Sequence, residues 1–333
     1  MRGVLCQAFA SLSDLTIADM PSPAMGDGDV LIDVHAAGVN FPDGLIVQGK
    51  YQTKPPLPFA PGSELAGVVV SVGTKVNGFQ PGDRVAAFSG TGAFAEQAAV
   101  PATQVYALPD EVDMVDAAGL LITYGTSYYA LKDRARLASG ETLLVLGAAG
   151  GVGLAAVELG AMMGARVVAA ASTDAKLALA RDRGASETIR YSDEDLRERV
   201  KALTDGAGVD VVYDPVGGES SLAAVKSLAW GGRHLVVGFA TGDIPKIPAN
   251  LLLLKSAASL GVLWGMSLRA DPAHHAGNIS DLLGRLAAGR INPVIDRVFP
   301  MEDAVAALEH VMERRAQGKV ILAIRDTHKK DHS

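Results

Sequence analysis

The sequence predicts an α/β protein in which a doubly wound parallel sheet is joined to a smaller, β-rich, barrel-like domain. Three observations predict it. From Glu141 to about Leu263, short β-rich apolar runs alternate with helix-period segments. Inside that region Gly147-Ala148-Ala149-Gly150-Gly151-Val152-Gly153 stands between an apolar run and a helical pattern. From Val4 to about Val100, by contrast, the apolar runs are short and alternating. They are broken by Pro21, Pro23, Pro55, Pro56, Pro58, Pro61 and Pro81.

Taken in order, Val30–Val34 and Gly67–Gly73 read as strands, and Pro81-Gly82-Asp83-Arg84-Val85 as a turn leading into another. Pro109 precedes a helical stretch from Val112 to Lys132. Thr142–Leu146, Arg166–Ala171, Val209–Tyr213, His234–Val237 and Ser259–Leu263 read as strands of the parallel sheet. Val152–Met163, Asp174–Arg183, Glu194–Leu203 and Ser220–Leu228 read as the helices between them. A helix from Met301 through Arg315 precedes a strand, Val320–Ile324, which has no sequence neighbour and is expected to return to the N-terminal domain. His328–Ser333 reads as a frayed polar end. Domains are expected at 1–122 with 292–333, and at 123–291.

Bulk properties narrow the function classes. The 333 residues correspond to roughly two domains at about 150 residues each. Hydrophobic residues at 49% and charged ones at 20% specify a globular chain. Thirty Lys and Arg against 37 Asp and Glu leave −7, which gives no bulk attraction to nucleic acid or an anionic membrane. The one cysteine, Cys6, cannot form an internal disulfide, and the Met1 end lacks the apolar stretch of a secretory signal, so a cytoplasmic setting is expected. A thiolate-rich zinc lobe is impossible, and no metal is expected. The apolar stretch Leu143–Ala165 contains Glu158 and four glycines within Gly147–Gly153; it reads as strand, turn and helix, not as a membrane span.

Strand before and helix after are the context in which a glycine run binds a dinucleotide. Gly147, Gly150, Gly151, Val152 and Gly153 bring main-chain N–H groups close to a pyrophosphate, and the helix N-terminus adds positive potential. An NAD site places Asp or Glu about 20 residues past the glycines. Here the strand ends in Ala171-Ser172, and Ser172 lies 19 residues beyond Gly153. Ser172 and Lys176 suit the 2′-phosphate of NADPH, each charged hydrogen bond contributing roughly 1.5–3 kcal/mol. Asp174 is the contrary feature, read as a helix cap.

The sequence resembles the zinc-independent quinone oxidoreductase family of the medium-chain dehydrogenase/reductase superfamily. The resemblance is carried by Gly38-Val39-Asn40-Phe41-Pro42-Asp43, Gly49-Lys50-Tyr51, Pro61-Gly62-Ser63-Glu64-Leu65-Ala66-Gly67, Pro81–Val85, Thr126–Leu131, Ala148–Gly153 and Gly318-Lys319-Val320. It implies a GroES-like catalytic domain and a Rossmann NADPH-binding domain. The zinc-dependent relatives would carry a cysteine near Asn40 and a histidine where Ser63 stands; both are absent. What remains is hydride delivery to an electron-poor carbon of a quinone or an α,β-unsaturated carbonyl, with an enoyl-CoA reductase as alternative. A nucleotide-binding crystallin-like or RNA-associated protein is the alternative of another class.

Residue by residue, the resemblance implies Asn40 at the nicotinamide ribose, Thr126 beside the nicotinamide, and Tyr51 as hydrogen-bond or proton donor to the developing enolate oxygen. It implies Tyr191 and Arg314 near the adenosine 2′-phosphate. Gly238-Phe239-Ala240 and Leu263-Trp264-Gly265 follow the fifth and sixth strands of the parallel sheet, where backbone groups can hold the carboxamide. It also implies a homodimer. Leu45 and Val47 replace a tyrosine and an arginine common in the family, which alters the acceptor pocket. Glu64 reads as a structural hydrogen-bonding carboxylate, and His274-His275 as a surface pair.

Overall fold

The chain opens with an antiparallel hairpin, β1 (Arg2–Leu5) against β2 (Thr16–Asp19), followed by a long strand, β3 (Asp29–Val39). In β3, Val30, Ile32, Val34 and Ala36 alternate on one face and are fully buried, the period-2 pattern of a half-buried strand. From Ala36 to Val39 every residue is buried, because this end of the strand is covered on both faces. Antiparallel partners follow as β4 (Glu64–Val72), β5 (Arg84–Phe88), β6 (Gln97–Pro101) and β7 (Val105–Ala107). The structure, a computed structural model, describes residues 1–325; the polar end His328–Ser333 lies outside them. The chain divides into two units: Met1–Ile122 with the chain from Gly265 onward, and Thr123–Trp264.

The helical stretch expected from Val112 to Lys132 is three pieces: Met114–Ala118, Leu121–Tyr128 and a π-helical turn, Tyr129–Arg134. Gly119 ends the first piece, its N–H bonding the carbonyls of Val115 and Asp116.

The second unit is a six-stranded sheet of β8 (Thr142–Leu146), β9 (Arg166–Ala171), β10 (Glu187–Arg190), β11 (Val209–Asp214), β12 (Leu228–Val236) and β13 (Ala258–Gly261). All neighbours are parallel and the order is β10-β9-β8-β11-β12-β13, the doubly wound order 3-2-1-4-5-6 of a Rossmann sheet. Helices Gly151–Met162, Asp174–Asp182, Leu196–Leu203 and Gly218–Lys226 connect the strands. Leu144, Leu146, Val168, Ala170, Ile189 and Val212 form much of one core. The one strand the alternation did not reveal is β10: in Glu-Thr-Ile-Arg only Ile189 is fully buried, so no hydrophobic period shows.

The final strands return to the first sheet. β14 (Ile295–Pro300) pairs with β15 (Lys319–Ala323), and β15 pairs antiparallel with β3, Val320 opposite Val39. The order β14-β15-β3-β4-β5-β7, with β6 also on β3, closes a mixed sheet around Val4, Ile32, Leu65, Phe94, Leu308 and Leu322. The tail helix is shorter than its pattern, a 3-10 turn at Met301–Asp303 and then Ala304–Met312. The long helix Pro272–Ala287 corrects the reading of the paired histidines: His274 is exposed, but His275 is fully buried with Nε2 2.9 Å from Ser267 Oγ. Among the described residues no helix is long and apolar enough to cross a membrane.

Candidate functional site

In the second unit the turn after β8 is built for close approach. Gly147 has φ +59°, and a Cβ on Gly153 would lie 2.2 Å from the Gly147 carbonyl oxygen, so neither position accepts a larger residue without a shift. A Cβ on Gly150 would meet only that same oxygen, at 3.6 Å, which leaves the turn's outer side open. The helix begins at Gly151, and the N–H groups of Gly151, Val152 and Gly153 in its first turn have no intrahelical acceptor. These amides could hold an anionic group such as a pyrophosphate at the β8/β11 switch point.

At the carboxyl end of β9, Ser172 is half-buried and Lys176 lies in the first turn of the next helix. Thr173 caps that helix, accepting from Lys176 N at 3.4 Å. Asp174 is therefore not the cap; it occupies the first turn and pairs with Arg190 at 2.8 Å. Tyr191 N donates to Ala171 O (3.2 Å) and Ser192 Oγ to Ser172 O (3.0 Å), so β10 sets Tyr191 alongside Ser172. Arg314 belongs to the other unit, exposed at φ +59° just past the helix Ala304–Met312.

The loop after β12 is tightly held from within. Gly238 N donates to Asp214 O (3.3 Å) and Ala240 N to Pro215 O (3.1 Å), so these two amides are committed to the protein; Phe239 is half-buried against Gly217. Asp214 itself is buried, accepting from Val216 N, Gly217 N, Ser221 Oγ and His234 Nε2, and these partners outweigh burial and hold its carboxyl below the usual range. Leu263 is half exposed, whereas Trp264 is buried with its indole against Gly125, where a Cβ would come within 2.7 Å of the ring. Thr126, next to Gly125, is half-buried in the helix Leu121–Tyr128.

In the first unit, residues far apart in sequence form one buried polar cluster. Lys319 Nζ donates to Asn40 Oδ1 (2.5 Å) and to Glu64 Oε1; Asn40 Nδ2 donates to Glu64 Oε1 (3.0 Å) and Gly38 O (3.2 Å); Ile122 N donates to Glu64 Oε2 (2.8 Å). Lys319 can only donate and the carboxylate can only accept, so the Asn40 amide has one orientation, with one Oδ1 lone pair to spare. Asp43, one turn on, accepts from Asn40 N (2.8 Å) and from Ser63 Oγ. Burial pushes the Asp43 carboxyl up to about 6 against the pull of those donors. Tyr51 is half-buried on the same core, and burial together with the Asp43 charge raises its phenol. Sequence reasoning named Asn40 and Tyr51 but not Lys319, Asp43 or Ser63 as a unit; the motifs Gly318-Lys319 and Pro42-Asp43 held the signal.

A family model described as "Alcohol dehydrogenase GroES-like domain" matches residues 26–110, and one described as "Zinc-binding dehydrogenase" matches residues 151–276. "Quinone oxidoreductase-like protein 2" of Rattus norvegicus is 41% identical over 93% of this chain and 89% of its own. The chain belongs to the quinone oxidoreductase family of the medium-chain dehydrogenase/reductase superfamily. This quinone oxidoreductase family member is also 34% identical to the "Quinone oxidoreductase" of Rattus norvegicus over 97% of this chain and 98% of that one. A crystal structure of Escherichia coli quinone oxidoreductase complexed with NADPH is similar at TM-score 0.91 and 28% identity, covering 97% and 100% of the two chains. The description of the 151–276 family model mentions zinc. In this family member, among the described residues, no group of three or more His, Cys, Asp or Glu could hold a metal ion.

Proposed function

We propose that this chain is an NADPH-dependent reductase that passes hydride to a quinone or an α,β-unsaturated carbonyl without a metal. The carrying observation is the glycine cradle after β8 together with a strand tip at Ser172 that bears no carboxylate. The turn fits a dinucleotide: Gly153 has no room for a Cβ against the Gly147 carbonyl, so helix and turn pack closely, the Gly150 side is open, and three first-turn amides lack an intrahelical acceptor. Gly147, Gly150, Gly151, Val152 and Gly153 would hold the pyrophosphate, and Ser172, Lys176 and Tyr191 the adenosine end, with Arg314 assigned there by resemblance. Thr126, Gly238, Phe239, Ala240, Leu263 and Trp264 would border the nicotinamide.

NADPH, when bound, supplies the hydride. The chain's own residues handle charge. Tyr51 keeps its proton at neutral pH, because burial and the Asp43 charge both disfavour the phenolate, and it donates to the oxygen on which negative charge develops. Asn40, locked by Lys319 and Glu64, has acceptor capacity left and meets a ribose hydroxyl as acceptor. Metal independence is part of the same reading, since the cysteine that zinc-dependent relatives carry near Asn40 is absent and Ser63 stands where they carry histidine. The reading includes a cytoplasmic homodimer built from a GroES-like domain and a Rossmann domain.

The test is an acceptor panel of quinones, free enones and CoA thioesters with NADPH and with NADH, after dialysis against a chelator. Expected are NADPH preference, full activity after chelation, and at least a tenfold loss of enone turnover in Tyr51→Phe. NADH preference overturns the cofactor assignment, loss on chelation overturns metal independence, and turnover within twofold of the parent removes Tyr51 from the reaction.

A further inference from the structure

Asp174 is at odds with a 2′-phosphate. Its side chain is 80% exposed, it lies two residues beyond the strand-tip Ser172, and an unneutralised carboxylate there repels a phosphate on the ribose. The structure places a cation on it. Arg190 ends β10 opposite Ala171 of β9, so both strands deliver their next residues to the same end of the sheet. From there one Arg190 nitrogen bonds Asp174 at 2.8 Å, and the other pairs with Asp193. The backbone of the same segment is tied to the Ser172 strand through Tyr191 N to Ala171 O and Ser192 Oγ to Ser172 O. Other acidic groups nearby are Glu194, which accepts from Arg190 N and pairs with Arg199 at 2.7 Å.

Resting on the NADPH reading, we propose that Arg190 is a cofactor-specificity residue: it neutralises Asp174 beside the Ser172/Lys176 position and so lets the site accept a 2′-phosphate. With Arg190 present, Arg190 and Lys176 balance Asp174 and Asp193. Without it two carboxylates face one ammonium, and the local field turns against a dianion. The Arg190 pairs are exposed on both sides, so they add little to fold stability, and the guanidinium has further N–H donors for the ligand.

The test uses the whole protein and the adenosine fragments alone, followed by calorimetry: 2′,5′-ADP carries the 2′-phosphate and 5′-AMP lacks it. Arg190→Gln is expected to weaken 2′,5′-ADP at least tenfold and to leave 5′-AMP within twofold, whereas Arg190→Lys keeps most of the affinity. In an Asp174→Asn background the same Arg190→Gln change is expected to cost threefold or less. Parent-like 2′,5′-ADP binding by Arg190→Gln, or an undiminished loss in the Asp174→Asn background, overturns the proposal. A parent protein that binds 2′,5′-ADP no better than 5′-AMP overturns the NADPH reading itself, which separates the two failures.

Discussion

Lys319 Nζ donates to Asn40 Oδ1 at 2.5 Å, linking the last strand of the chain to the start of the helix Phe41–Val47 across 279 positions of sequence. The same ammonium neutralises Glu64, and both side chains are buried. Removing one partner leaves an uncompensated buried charge, which costs about 3–5 kcal/mol. Lys319→Met should therefore lower the unfolding free energy measured in urea by that order, and Lys319→Met with Glu64→Gln should lower it much less. A single-variant loss below about 1 kcal/mol would mean that the pair is not charged and buried as described.

Asp43 gives stability a sign that is unusual for a carboxylate. Its folded value of about 6 lies above the ordinary 3.8, so the folded state holds the proton more tightly than the unfolded chain. The stabilisation is full below about pH 4 and is lost as pH rises through about 6. A shift of about two units corresponds to about 3 kcal/mol. Urea unfolding of the parent relative to Asp43→Asn, at intervals from pH 4 to 7.5, should show the parent losing ground until about pH 6.5 and then levelling off. A parent that gains on the variant over that range would contradict the buried, destabilised carboxylate.

Two glycines of the turn after β8 should part company on substitution to alanine. At Gly153 the new methyl would meet the Gly147 carbonyl oxygen at 2.2 Å, backbone against which nothing flexible can yield. Gly153→Ala should lose both thermal stability and NADPH binding. At Gly150 φ is −77° and the nearest atom is 3.6 Å away, so the fold tolerates the methyl and stability should stay within about 0.5 kcal/mol. In the proposed cofactor site the methyl would still stand where the phosphates approach, and NADPH affinity should fall at least tenfold. Calorimetry beside thermal unfolding separates the two effects, and a Gly150→Ala protein that binds NADPH like the parent would move the phosphates elsewhere.

The parallel sheet was legible because its inner strands β8, β9 and β11 are buried on both faces and a glycine-rich turn follows the first of them. Thr142–Leu146 and Arg166–Ala171 were bounded to the residue. The strand Glu187–Arg190 was not, since an edge strand with one buried residue carries no pattern, and with it went Arg190 as a neighbour of Asp174. Asn40 and Tyr51 could be singled out as residue types in motifs. Their hydrogen-bonded setting could not, because Lys319 reaches Asn40 through strand pairing of Val320 with Val39, a contact set by topology and not by spacing.

Tyr51 makes the last prediction, which concerns the alkaline side of the reaction. Burial comes first among the causes raising its phenol, the Asp43 charge second, and a hydrogen bond with Gln52 opposes them. The group therefore stays protonated beyond the ordinary tyrosine range near 10. A donor that keeps its proton contributes no alkaline limb to kcat/KM below about pH 10. Enone reduction should run level from about pH 7.5 to 9.5, and Tyr51→Phe should lower the whole profile without moving it. An alkaline limb near pH 8 in the parent that disappears in Tyr51→Phe would show an acidified phenol, the opposite of what burial beside an ionised Asp43 imposes.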